Sequence, residues 1–115
     1  MWRDEARLVD MLLAAGNAQA FVAGMTPGEF TTDIKTQHAV VRALEIVGEA
    51  ARTVPEEIRS THPEIAWADL VGMRNRLVHE YFRVRLDVVW DVVVDEIPPL
   101  IEQLRAIVPP EGSDG

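Results

Sequence analysis

Val88-Val89-Trp90-Asp91-Val92-Val93-Val94 is the stretch on which the fold turns, because five β-branched residues in seven have the composition of a strand. Its flanks point the other way. Val89, Val93, Ile97, Leu100, Leu104 and Val108 recur every three or four residues, so the run belongs to a helix from about Leu86 to Val108. Pro98-Pro99 falls inside that helix and should kink or interrupt it, since proline removes a hydrogen bond and clashes with the preceding turn.

Working outward, the same periodicity returns in each segment. A helix beginning near Trp67 or Ala68 carries Leu70, Val71, Leu77 and Val78 inwards. Before it, Pro55 to Ser60 is a short helical piece with proline in the first turn, closed by His62-Pro63. Val40, Val41, Leu44, Val47, Ala51 and Val54 mark a longer helix, with Thr31, Thr32 and Asp33 each able to cap it. Gly24, Pro27 and Gly28 punctuate the chain as a turn, and Leu8, Leu12, Ala15 and Val22 form one stripe of a first helix from about Asp4 to Ala23. The expectation is an all-α, up-and-down bundle of four main helices plus a short extra helix over residues 1–108. The remainder, 109–115, reads Pro-Pro-Glu-Gly-Ser-Asp-Gly, has nothing to bury, and is expected to be a disordered tail.

Composition narrows the function classes. One domain accounts for 115 residues, and an apolar fraction of 48 % fills its core. Without cysteine there is no disulfide, thiolate ligand or thiol nucleophile. Leu8 to Gly24 is apolar enough to consider as a signal peptide, but Arg3 is followed by Asp4 and Glu5, and Asp10 interrupts the run. No apolar stretch spans a membrane, and a cytoplasmic protein is expected. The net charge of −8 speaks against nucleic acid until its distribution is read. Between Arg74 and Arg85 lie four arginines and one glutamate, net +3, while the rest of the chain sums to −11. Such an island can grip phosphate, since distant charges are screened within about 8–10 Å, or it can be a solvated helix face.

Of three histidines, His38 looks like a surface residue and His62 has no nearby partner in sequence. His79 differs, for Arg74-Asn75-Arg76-Leu77-Val78-His79-Glu80-Tyr81 crowds it with cations. On a continuous helix Asn75 and Arg76 share its face, whereas Arg74 lies about 140° away and lines up with Tyr81. One helix therefore does not aim Arg74 and His79 at a common point, and a second copy across a two-fold axis would. Metal-free RNA cleavage needs a proton acceptor, a proton donor and positive charge on the phosphorus centre. Histidine and arginine supply these, and Asn75 can orient either the histidine or the substrate. No histidine pair has metal-ligand spacing. Glu45 and Glu49 read as the solvated edge of their helix, or as charge partners for Arg74 or Arg76.

In order and spacing, Leu44-Glu45-Ile46-Val47-Gly48-Glu49-Ala50-Ala51, then His62-Pro63-Glu64-Ile65, then Gly72 to Phe82, then Val88-Val89-Trp90 and Ile97-Pro98 resemble the successive blocks of HepT-like HEPN proteins. The likeness runs from roughly residue 4 to 108, and Arg74, Asn75, His79 and Tyr81 match the family's Arg-x4-His-x-Tyr signature. It implies an HEPN fold, a homodimer with both signatures in one cleft, and metal-independent endoribonuclease activity without a cofactor. Arg74 and His79 would be catalytic, with Asn75, Arg76 and Arg83 supporting the RNA substrate. It also implies the toxin role in a toxin–antitoxin pair, silenced by a minimal nucleotidyltransferase that adds AMP to Tyr81. Arg83 and Arg85 add charge that many relatives lack. The alternatives are a non-catalytic HEPN module that binds a nucleotidyltransferase or nucleotide, and a purely structural helical dimer.

Overall fold

In the computed structural model residues 2–80 and 84–108 are described, with side chains from residue 5 onward, and among them every regular element is helical. Helix α1 (Trp2–Phe21) and α3 (Ile34–Thr53) are the long pair, and α5 (Trp67–His79) lies along the other side of α3. The last helix comes in two pieces, α6 (Leu86–Asp91) and α7 (Ile97–Ile107), and α7 packs back on α1. These four bodies, with α4 (Glu56–Thr61) as the short extra, are the expected bundle.

Helix α3 is the centre because its apolar residues serve two neighbours. Val40, Val41, Leu44, Val47, Ala51 and Val54 are all buried, as their spacing requires, and Met11, Ile97 and Leu104 close around them. Of the three candidate caps it is Asp33 whose side chain accepts from the Thr36 N–H. On α5 the expectation holds for Leu77 and in part for Leu70 and Val71. Val78 departs from it: 41 % of its surface is open, on a helix whose main packing partner among the described residues is α3.

Two departures have local causes. The expected turn at Pro27-Gly28 is a helix, α2 (Pro27–Thr32). Thr26 and Glu29 form a capping box across its start and Pro27 occupies the first turn, which sends Phe30 into the core against Trp90 at a ring separation of 5.6 Å. The second lies in the opening valine run. Between α6 and α7 the chain takes a π turn, Val92–Glu96, in which the Ile97 N–H reaches the Val92 oxygen five residues back. The wider turn meets Pro98 and Pro99, which bring no N–H to the ladder and whose rings need room. The expected kink is this π turn. Residues 109–115, expected to be a tail, lie outside the described residues.

Candidate functional site

Arg74 sits four residues after Leu70 and three before Leu77, on the stripe of α5 that faces α3. Its side chain is consequently only 26 % exposed. Opposite stands Gly48, where a Cβ would come within 2.3 Å of the Arg74 Cβ and 2.6 Å of the Leu70 carbonyl oxygen. Glycine inside a helix costs about 1 kcal/mol relative to alanine, and here that cost is offset by the close approach of α5.

Beside Gly48, Glu49 brings Oε2 to 3.0 Å from Arg74 Nε. That oxygen is shielded from water and accepts no aligned N–H among the described residues, so the link is coulombic rather than a hydrogen bond. Oε1 accepts from Arg52 Nη2 at 2.6 Å. This hydrogen bond, with the charges of Arg52 and Arg74 behind it, holds the Glu49 carboxyl below its ordinary value against some desolvation. On its other side Arg74 donates from Nη1 to Asn75 Oδ1 at 3.0 Å. Glu49 is thus a partner of Arg74 and not merely a solvated edge, whereas Glu45 pairs with Arg42 at 3.4 Å.

His79 is the last residue of α5 and is exposed, while the Glu80 N–H closes the helix on the Arg76 oxygen. It makes no hydrogen bond or ion pair among the described residues. The face expected to hold Asn75, Arg76 and His79 together is therefore divided. Asn75 goes with Arg74, and Arg76 lines a groove of about 650 Å³ between α5 and the α6–α7 side, floored by Leu44, Leu77 and Val89. Tyr81 and Arg83, expected as the modification site and a substrate contact, lie outside the described residues. Arg85 is bound by Asp87, Nη2 to Oδ2 at 2.6 Å and Nε to Oδ1 at 3.3 Å, and this holds the Asp87 carboxyl low. The basic island is accordingly weaker than its formal charge, and Arg76 is its one arginine without an ion pair among the described residues. His62 has a partner after all, Glu64 Oε2 at 3.4 Å. Among the described residues no three His, Asp or Glu side chains are grouped to hold a metal ion, and no helix is long and apolar enough to cross a membrane.

A sequence reading that weighs charged residues passes over Gly48. The available signal was a glycine on the buried face of a strongly amphipathic helix, four residues after Leu44 and beside an acid.

A helical bundle of this order, with its cationic segment at the end of the third long helix, is of HEPN type. Residues 11–107 match the family described as Ribonuclease HepT-like, and the chain belongs to that family. It is 36 % identical to a candidate RNase of Methanocaldococcus jannaschii over 110 residues, 95 % of this chain and 91 % of the relative. A candidate RNase of Caldanaerobacter subterraneus subsp. tengcongensis is 39 % identical over 90 residues, 78 % and 80 % of the two chains. The probable ribonuclease HepT of Thermococcus cleftensis is 46 % identical over 80 residues, 67 % and 73 %. No solved structure gave a significant match.

Proposed function

We propose that this chain is the toxin of a toxin–antitoxin pair, a metal-independent endoribonuclease acting in the cytoplasm through Arg74 and His79 at a homodimer cleft. One observation carries the reading. Arg74 is tied back to α3, while His79 stands exposed and unpaired among the described residues at the end of α5. Two such segments facing each other would give one cleft two imidazoles and two guanidinium groups.

The chemistry then follows. One His79 takes the proton of a ribose 2′-hydroxyl, the 2′-oxygen attacks phosphorus, and the bond to the 5′-oxygen breaks. The other His79 gives a proton to that leaving oxygen, and a 2′,3′-cyclic phosphate remains. Arg74 lies against the non-bridging oxygens where charge builds up. Asn75 steadies Arg74, and Arg76 and Arg83 bind flanking phosphates. The antitoxin, a nucleotidyltransferase, silences the site by AMP transfer: the Tyr81 oxygen attacks the α-phosphorus of ATP, pyrophosphate leaves, and the phenolic proton is lost. The added phosphate would occupy the arginines meant for RNA.

Purified protein incubated with RNA and a chelator tests this. The wild type should cleave, and His79→Ala or Arg74→Ala should lower the rate about 10²–10⁴-fold with an unchanged helical circular dichroism spectrum. Growth arrest on expression should vanish with the same substitutions. RNA left intact by a dimer that carries no AMP on Tyr81 would instead make the chain a non-catalytic module for a nucleotidyltransferase partner.

A further inference from the structure

We infer that Gly48 and Glu49 of α3 are positioning residues for Arg74, and that together they decide which edge of its guanidinium meets the RNA phosphate. The inference rests on the ribonuclease reading of Arg74. A guanidinium can offer phosphate two donor pairs, the side edge of Nε with Nη2 or the terminal edge of Nη1 with Nη2. Glu49 Oε2, 3.0 Å from Nε, occupies the side edge. Asn75 Oδ1 takes one hydrogen of Nη1 at 3.0 Å and holds the plane of the group. The second Nη1 hydrogen and both Nη2 hydrogens have no partner among the described residues. The terminal edge is therefore the one presented.

Two further features make this a built arrangement. Any side chain at position 48 would push α5 away, since a Cβ there meets Arg74 Cβ at 2.3 Å and the backbone at Leu70 at 2.6 Å. Glu49 is itself held from behind by Arg52, 2.6 Å from Oε1, so one carboxylate is clamped between two cations. Arg52 balances the charge of Glu49 and leaves the Arg74 charge available for the substrate.

Positioning and simple electrostatics predict opposite results. If Glu49 were only a negative charge near the cleft, Glu49→Gln and Glu49→Ala would tighten RNA binding, lower KM and leave kcat unchanged. As a positioning residue, its loss should lower kcat about 10–100-fold with KM unchanged or lower. Because the link to Nε is coulombic, Glu49→Gln should lose nearly as much as Glu49→Ala, and Glu49→Asp, which keeps the charge, should recover part of that loss. Gly48→Ala should resemble Glu49→Ala, and the Glu49 variants decide the matter if Gly48→Ala does not fold. An unchanged kcat in Glu49→Ala overturns the inference. If the wild type does not cleave RNA, the ribonuclease reading falls separately. The positioning role is then read from the Arg74 Nε–H signal by NMR, assigned with Arg74→Lys. A signal whose chemical shift moves in Glu49→Ala supports the role, and one indifferent to Glu49 refutes it.

Discussion

Helices α3 and α5 lie against each other, yet they are built on opposite plans. Helix α3 buries residues on both of its flanks, from Val40 through Ala51. Helix α5 fully buries only Trp67 and Leu77, and it ends on an exposed histidine. The difference separates two duties within one small bundle. Stability is concentrated where α1 packs on α3 and α7, and the polar groups are hung on a helix whose main support among the described residues is α3. Arg74 is the joint between the two regimes, a cation set on the apolar stripe of α5 and received by a glycine and an acid of α3.

Three expectations put pressure on that contrast. Leu44 is 1 % exposed, so Leu44→Ala should cost about 2–5 kcal/mol in urea unfolding. Val78→Ser, on the open face of α5, should stay within about 0.5 kcal/mol. A comparable loss at both would mean that the α5 face is covered in solution, and sedimentation at several concentrations would reveal by what. Next in size is the capping box: Thr26→Ala should cost about 1 kcal/mol and lower Tm, with Phe30 loosened from Trp90. An effect on cleavage comparable to that on Tm would break the separation of duties.

The smallest effect is in acid. Asp33, hydrogen-bonded by Thr36, Glu49 by Arg52, and Asp87 by Arg85 all have folded-state values below their ordinary 3.8 or 4.5. Groups shifted this way bind protons more readily when unfolded. Their contribution is present above the ordinary values and is lost as pH falls through the lower folded ones. Melting temperature should therefore decline progressively below about pH 4.5, and Glu49→Gln should flatten part of that slope.

How much of this could be read beforehand depended on what each residue answers to. The α3 stripe was fully readable, since burial on both sides leaves periodicity no competitor. Val78 was misplaced because a three-or-four-residue spacing says which residues share a face, and not whether a neighbour exists to cover it. Helix α2 was hidden by Pro27-Gly28, a pair that reads as a turn until Thr26 and Glu29 are recognised as its cap. The Arg74–Tyr81 segment was found, but its internal pairing was not. Asn75 was grouped with His79 by helical geometry, whereas a side chain one residue from Arg74 can bend along the helix to meet it. The Glu49 contact joins two helices and stood only as a secondary possibility.

The π turn ahead of the two prolines carries a consequence for how this chain tolerates change in length. Val89, Val93, Ile97 and Ile101 are all buried at steps of four. On an uninterrupted α-helix each such step overshoots by about 40°, and three would carry the stripe about 120° off the core. The wide turn absorbs that drift, as though one residue had been added to a helix whose two ends were already pinned. Phe30 pins one end through Trp90, and α1 pins the other. Removing a single residue between Val92 and Glu96 would therefore restore a regular helix and leave α6 and α7 in the same phase. Val89 would stay on the floor of the groove, so the wall facing Arg76 should survive a shortening at this point.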